Sequence, residues 1–140
     1  PVLPSPVAAL AVAAGGKRVV VGTASGAVAV WDAAANRIDR TWETGGPVTA
    51  VAVTPDGTTV ATGGEPTQVW ELPGGRMVGE VRGADGAAAL AFLPDDAGGW
   101  LLAAAGRGDG TVRLFDAGGR EVRAFPGHAG AATAVAASPD

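Results

Sequence analysis

A short motif recurs along this chain at a nearly constant interval. An apolar run followed by a turn-forming segment reaches residues 12, 53, 92 and 137, and three of the copies contain a Pro-Asp pair. An interval of roughly 40 to 45 residues, filled with short strand patterns and turns and without a helical stretch, is typical of the blades of a β-propeller. The repeat therefore predicts an all-β fold, a β-propeller of four-stranded antiparallel blades.

Each period contains four strand candidates separated by turn residues. In the first period, turns rich in glycine, alanine and asparagine separate strands at 7–13, 18–23, 27–31 and 37–42. The second period divides in the same way, at 48–54, 58–62, 67–72 and 76–81. The predicted organisation is a linker at 1–6, blade 1 at 7–46, blade 2 at 47–86, blade 3 at 87–130 and the first strand of a fourth blade at 131–140.

The composition of the strands predicts their place within a blade. The first strand of every period is rich in alanine, which suits the crowded centre where blades converge. Third strands such as 27–31 are apolar throughout, as expected of strands covered on both faces. Fourth strands such as 37–42 mix charged with apolar residues, and charge protects an outer edge from pairing with other strands. We therefore expect the first strand of each blade at the centre and the fourth on the rim.

The third strands end in a repeated pair of an aromatic and an acidic residue. The pairs are Trp31-Asp32, Trp70-Glu71 and Phe115-Asp116, and a Gly-His dipeptide stands at Gly127-His128. With the Pro-Asp turns, this pattern resembles the WD-repeat family of β-propellers over about residues 7–140. Tryptophan-poor bacterial surface propellers have similar Val-Ala-Val strands and Pro-Asp-Gly turns, but the Trp-Asp pairs favour the WD-repeat resemblance.

The resemblance implies a hydrogen-bond network that this chain can form only in part. In WD repeats the histidine of the Gly-His dipeptide, a serine or threonine, a turn aspartate and the tryptophan bond to one another within a blade. Only His128 is available here, and equivalent positions of other blades hold Thr44 and Gly83. We therefore expect the aromatic-acid pairs to be structural repeat positions with tryptophan packed between blades, and Trp42 and Trp100 to lie outside that register, partly exposed.

The chain is short for a closed ring. Propellers close with typically about four to eight blades, whereas 140 residues supply three blades and one further strand. We therefore expect an incomplete propeller, either a piece of a longer one or one of several chains that complete each other. Both flanks of such an array would expose blade faces.

Composition and charge argue against several classes of partner. The net charge is −4 and the ten basic residues form no cluster, so we expect no nucleic acid. No apolar run approaches the roughly 18 residues of a membrane span, so we expect no membrane. Cysteine is absent, which removes disulfides and thiolate metal ligands. Residues 1–6 do not resemble a targeting segment, and we expect a cytoplasmic protein; the abundance of alanine, glycine and arginine indicates a bacterial source.

Few residues are available for catalysis. The chain has one histidine, no cysteine and no tyrosine, and its serines stand outside any Gly-x-Ser-x-Gly pattern. His128 has no second histidine with which to hold a metal, and the glycine-rich segment 106–110 precedes a strand rather than the helix that a phosphate loop requires. We therefore expect no enzymatic activity, no metal and no cofactor.

These observations favour a non-catalytic propeller segment that serves as a protein-protein interaction scaffold. We expect binding through loops on one face of the ring, including Arg107, Asp109 and His128. The expected partners are another protein and further propeller blades from the same or another chain. Two alternatives stay open at this point. One is a sensor or regulatory segment of a larger bacterial enzyme, such as a kinase, protease or redox protein; the other is a partial propeller that assembles with copies of itself.

Overall fold

The computed structural model describes residues 7–13, 17–54, 57–64, 67–72, 76–81, 89–94, 99–105, 111–116 and 120–125. These stretches form three four-stranded antiparallel sheets, which we name A, B and C in chain order. Sheet A contains β1 (Val7–Ala13), β2 (Arg18–Thr23), β3 (Ala27–Asp32) and β4 (Arg37–Glu43). Sheet B contains β5 (Ala50–Val53), β6 (Thr59–Gly63), β7 (Thr67–Glu71) and β8 (Arg76–Val81). Sheet C contains β9 (Ala89–Pro94), β10 (Trp100–Ala105), β11 (Val112–Phe115) and β12 (Glu121–Phe125).

Strand order follows chain order in every sheet, so each sheet is an up-and-down meander. Short turns join the strands of sheet A, and two of them use left-handed backbone, at Gly26 (φ 98°) and at Asn36 (φ 54°). Glycine and asparagine are the residues that adopt this conformation most readily. The all-β class and the four-stranded antiparallel blades are confirmed, and the three sheets form an open array rather than a closed ring.

The strands of sheet A lie within one residue of their predicted bounds. The first strand of sheet B is shorter than predicted and begins at Ala50 rather than at residue 48. The reason is the backbone pairing of the two residues before it. The amide of Val48 donates to the carbonyl of Thr23 in sheet A, and the amide of Thr49 donates to the carbonyl of Gly63. Val48 therefore bridges from sheet B back to sheet A, whereas Thr49 bonds to β6 at the end of sheet B.

The first strands of the sheets converge, as their alanine content predicts. Strand β5 packs against both β1 and β9, so these three strands lie nearest the centre of the array. Alanine at Ala50 and Ala52 is buried there, where larger side chains would not fit between converging sheets. The fourth strands β4, β8 and β12 are mostly exposed and form the rim.

Two apolar layers hold the sheets together. The layer between sheets A and B consists mainly of valines with Trp70 and Leu72, and Trp42 packs against it. The layer between sheets B and C includes Leu90 and Phe115, with Phe92 packed at its margin. Sheets A and C thus each bury one face on sheet B, and among the described residues sheet B is the one sheet covered on both faces.

Sheet C departs from one prediction. The apolar third strand is expected to be buried on both faces, and β3 and β7 are largely buried. In β11 only Phe115 is fully buried, whereas the preceding three residues are partly exposed. Val112 and Leu114 belong to the side of sheet C that faces away from sheet B, where the described residues place no further sheet.

Some predicted segments lie outside the described residues. These are the linker at 1–6, the strand at 131–140 and the turns that would set several blade boundaries. The blade boundaries therefore stay predictions. Within the described stretches, no helix has the length and apolarity that crossing a membrane requires.

Candidate functional site

The repeated aromatic residues occupy equivalent places in their sheets. Trp31, Trp70 and Phe115 each follow a register shift between the third and fourth strands of the sheet. Trp70 packs into the layer shared with sheet A, and Phe115 into the layer shared with sheet B. Each therefore faces the preceding sheet. By the same register, Trp31 faces away from sheet B, on the outer side of sheet A.

The indole of Trp70 is held by one buried hydrogen bond. Its Nε1 donates to Oγ1 of Thr62 at 2.9 Å, and both side chains are buried. This pair is the part of the expected WD-repeat network that sheet B forms. The hydroxyl satisfies a donor that would otherwise be buried without a partner.

The two other sheets lack that hydroxyl. The position equivalent to Thr62 holds Val21 in sheet A and Ala104 in sheet C, as the strand registers show. In sheet A the consequence is that Nε1 of Trp31 is buried with no hydrogen-bond partner in the described structure. In sheet C the aromatic is Phe115, which has no N–H, so nothing is left unsatisfied. Among the described sheets, sheet A is thus the one in which the third-strand aromatic has a donor and the hydroxyl acceptor is missing.

The acidic residues that follow the aromatics fix local turns. Oδ1 of Asp32 accepts from the amides of Ala34 and Ala35, at 3.0 and 3.1 Å. Oδ1 of Asp116 accepts from the amide of Arg120 at 3.0 Å. In sheet B the equivalent glutamate instead forms an exposed ion pair with the arginine five residues later. These carboxylates stabilise the turns between third and fourth strands and do not converge on a common point.

Thr44 replaces the histidine that a WD repeat would carry before sheet B. Its amide donates to the carbonyl of Gly26 at 2.9 Å, and its hydroxyl lies 3.0 Å from that carbonyl oxygen and 2.8 Å from the carbonyl oxygen of Gly46. Thr44 therefore ties the turn between β2 and β3 to the segment that leads into sheet B. One hydroxyl near two backbone carbonyls thus takes the structural role that the histidine-containing network of side chains has in a WD repeat.

Sheet A carries an uncovered apolar surface, which we call the leading face. Its members share one side of the sheet and point away from sheet B: Leu10 and Val12 are exposed, Val19 and Trp31 are partly exposed, and Val21 is buried between them. By register, Leu10 is equivalent to Val51 of sheet B. Val51 is 7% exposed because sheet A covers it, whereas Leu10 is 61% exposed. The leading face is therefore the side of a blade that normally meets the blade before it.

Sheet C carries the complementary uncovered surface, which we call the trailing face. Its larger members are Leu93, Leu101, Val112, Leu114 and Phe125. Phe125 is 45% exposed, and the guanidinium of Arg123 lies 5.9 Å from its ring centroid.

The register shows what normally covers such a face. Phe125 is equivalent to Trp42 in sheet A and to Val81 in sheet B. Trp42 packs on Trp70 of the next sheet, with ring centroids 5.4 Å apart, and Val81 is buried with Phe115 of the next sheet. Trp42 thus belongs to the packing between sheets, although its position in the sequence lies outside the aromatic repeat.

The predicted loop residues Arg107, Asp109 and His128 lie outside the described residues, as does residue 83. The proposed use of that loop face therefore remains a prediction. Across the stretches that the structure describes, no group of three or more histidine, cysteine, aspartate or glutamate residues is arranged to hold a metal ion.

Comparison with known proteins agrees with this geometry. Residues 39–69 match the family model "WD domain, G-beta repeat", a span that runs from β4 of sheet A through most of β7 of sheet B. No curated protein sequence matches the chain. Among solved structures, "Structure of U3-55K" superposes with a TM-score of 0.83 at 17% identity, covering 98% of this chain and 44% of that one. "Crystal structure of RRP9 WD40 repeats" gives 0.83 at 17% identity, covering 98% and 43%.

A third structure comes from an enzyme. "Kuenenia stuttgartiensis Hydrazine Synthase" superposes with a TM-score of 0.81 at 17% identity, covering 94% of this chain and 39% of that chain. The chain therefore spans less than half the length of each of these three structures. Fold and matched repeat together define a partial β-propeller. Within it, residues 39–69 match a WD40 repeat, and this stretch links the first two sheets.

Proposed function

We propose that this chain is a non-catalytic interaction module whose propeller is completed by further blades on both of its uncovered faces. The observation that carries the proposal is the register equivalence between the leading face and the buried side of sheet B. An apolar surface of this kind is stable when covered and promotes association when exposed. Further blades, from the same chain or from another, are the occupants whose shape and chemistry match it.

The wider role follows from the kind of fold. WD40 propellers commonly present rigid surfaces to protein partners, and here the carboxylates after the aromatics hold turns rather than meeting in a cleft. The partner is accordingly a protein rather than a small substrate. We place the module in the cytoplasm, on the basis of the sequence alone.

A second candidate function is a regulatory segment within a larger enzyme. Its support is the likeness to part of a hydrazine synthase, in which the matching region makes up 39% of the chain. The reading frame on both sides of this segment distinguishes the two, because a regulatory segment requires a catalytic domain encoded in the same frame.

The proposal predicts that the 140-residue chain associates through its leading face. Size-exclusion chromatography with light scattering should show a mass above that of the monomer. Leu10→Asp places a charge on the leading face and should return the chain to the monomer. Val78→Asp is the matched control, because Val78 is 49% exposed but lies on the rim strand of the middle sheet.

Two outcomes would contradict the proposal. One is a wild-type chain that is a folded monomer with no tendency to associate, because the leading and trailing faces would then be stable when exposed to water. The other is equal loss of association in Leu10→Asp and Val78→Asp, because association would then not depend on the leading face.

A further inference from the structure

A cleft of about 240 Å³ opens between sheets A and B, apart from both uncovered faces. Its lining residues are Arg18, Val30, Asp39, Arg40 and Leu72. Val30 and Leu72 are buried and belong to the apolar layer between the two sheets. The cleft thus has apolar walls at its base and charged groups at its mouth.

The strand register places both arginines on the side of sheet A that faces sheet B. Val30 lies opposite Arg40 on β4 and opposite Val20 on β2. Arg18 stands two residues before Val20, so strand alternation puts it on the same side. The two guanidinium groups therefore flank the same apolar wall.

These two arginines are without acidic partners. Neither Arg18 nor Arg40 makes an ion pair or a side-chain hydrogen bond within the described structure. Asp39, the one acid among the described lining residues, accepts from Nε of Arg37 at 3.2 Å and is thereby shared with a third cation. Asp32 lies opposite Arg18 in the strand register, but its Oδ1 accepts from two turn amides. Among the described residues around the mouth, three arginines thus outnumber two aspartates, although the whole chain carries a net charge of −4.

The size and chemistry of the cleft select its ligand. Pockets for drug-sized molecules measure roughly 300 to 1,000 Å³, so this smaller cleft suits one or two side chains of a peptide. Guanidinium groups bind carboxylates and phosphates through paired N–H donors. The carboxylate of Asp39 disfavours a doubly charged phosphate more than a singly charged carboxylate, and the walls of Val30 and Leu72 favour an aliphatic neighbour.

We propose that the cleft between sheets A and B binds an acidic segment of a partner protein. An aliphatic side chain of that segment contacts Val30 and Leu72, and its flanking carboxylates accept hydrogen bonds from Arg18 and Arg40. The inference deepens the proposed interaction role by naming the chemistry of one docking point. The cleft includes neither the leading face nor the trailing face. Peptide binding in the cleft and completion of the propeller by further blades can therefore be refuted independently.

Fluorescence anisotropy with three labelled pentapeptides tests the proposal: Gly-Glu-Leu-Glu-Gly, Gly-Gln-Leu-Gln-Gly and Gly-Glu-Ala-Glu-Gly. The first should bind about ten to a hundred times more tightly than the second, the range that one or two charge-assisted hydrogen bonds provide. The third should bind about tenfold more weakly than the first, because it lacks the leucine methyl groups. Raising the salt concentration should weaken binding of the acidic peptides only.

Substitutions assign the binding to the cleft. The double variant R18Q/R40Q should lose the preference for glutamate over glutamine. Arg76→Gln is the matched control, because Arg76 is an exposed arginine of sheet B that pairs with Glu71 outside the cleft, and it should bind within about twofold of wild type. Far-UV circular dichroism checks that the variants keep their sheets. Leu10→Asp should retain peptide binding, which separates this test from the test of the leading face.

Three results would overturn the inference. These are equal binding of the glutamate and glutamine peptides, full binding by R18Q/R40Q, and displacement of the peptide by phosphate at lower concentration than by acetate. The peptide comparison uses the wild-type chain, so it stands even where a variant does not fold.

Discussion

The hydrogen bond between Trp70 and Thr62 makes a quantitative prediction about stability. Nε1 of Trp70 donates to Oγ1 of Thr62 at 2.9 Å between two buried side chains. Thr62→Val keeps the shape of the side chain but removes the acceptor. A buried donor that loses its partner costs about 1 to 3 kcal/mol, so we expect the free energy of unfolding to fall by that amount.

Sheet C indicates which second substitution should remove the loss of stability caused by Thr62→Val. There Phe115 stands in place of the tryptophan and Ala104 in place of the threonine, so neither a donor nor an acceptor is buried. Trp70→Phe removes the donor in sheet B, although it also weakens the contact with Trp42. In that background Thr62→Val should cost less than about 0.5 kcal/mol, and the double-mutant cycle should give a coupling of roughly 1 to 2 kcal/mol.

The assay is urea unfolding of the wild type, both single variants and the double variant, followed by far-UV circular dichroism. All four proteins are compared at one concentration, because association contributes to the measured stability. A change in midpoint with an unchanged slope would show that stability, and not the unfolded state, has changed. If Thr62→Val costs the same with tryptophan and with phenylalanine at position 70, the hydroxyl does not act through the indole and the reasoning is refuted.

Three further substitutions test other parts of the fold. Val21→Thr supplies an acceptor beside the unpartnered indole of sheet A, whereas the hydroxyl of Val20→Thr enters the valine layer on the opposite side. The loss of stability in Val21→Thr should therefore be about 1 kcal/mol smaller than the loss in Val20→Thr. Equal losses in thermal unfolding would refute this. Gly22→Ala places a methyl group against Val48 and Val51 and should lower the free energy of unfolding by about 1 to 3 kcal/mol. The methyl group of Gly79→Ala meets no atom within 4 Å, so that variant should be nearly neutral. Similar urea midpoints for the two variants would contradict the close approach at Gly22. Asp32→Ala removes the acceptor of two turn amides and should lower the free energy of unfolding by about 0.5 to 1.5 kcal/mol. Asp32→Asn keeps an acceptor oxygen and should lose less stability than Asp32→Ala. If Asp32→Asn loses more stability than Asp32→Ala, the charge of the carboxylate matters rather than the hydrogen bonds.

The sequence predicts most of the fold because each blade repeats the same local signals. Glycine-containing turns and alternating runs locate the strands of sheet A to within a residue, and alanine content locates the inner strands. The early start predicted for β5 has a physical cause. Val48 has a strand-like side chain, but its amide pairs with Thr23 of sheet A rather than with β6 of its own sheet. Local sequence patterns do not reveal which carbonyl an amide will find.

The candidate sites were harder to predict because they depend on contacts between sheets. Trp42 lies outside the aromatic repeat in sequence, yet the register brings it onto Trp70. The signal that locates it is its place at the end of a fourth strand, where Val81 and Phe125 also stand. The charged cleft likewise combines residues from β2, β3, β4 and the position after β7, and no spacing within a single strand predicts that meeting.

The packing of the sheets has a direction, and that direction predicts how copies of the chain associate. Each third-strand aromatic faces the preceding sheet, and each fourth-strand end residue faces the following one, as Trp70 and Trp42 show. The leading face therefore matches a trailing face and not another leading face. Contacts of this head-to-tail kind produce a ring if the rotation closes and an open filament if it does not.

Head-to-tail association makes both faces equally necessary. Leu10→Asp on the leading face and Phe125→Asp on the trailing face should each abolish association in light scattering, because each removes one half of every contact. Mixing the two variants should restore a dimer, since one intact leading face and one intact trailing face are then available. A symmetric contact between two leading faces would leave Phe125→Asp fully associated, and that result would show that blade-like stacking does not govern the assembly.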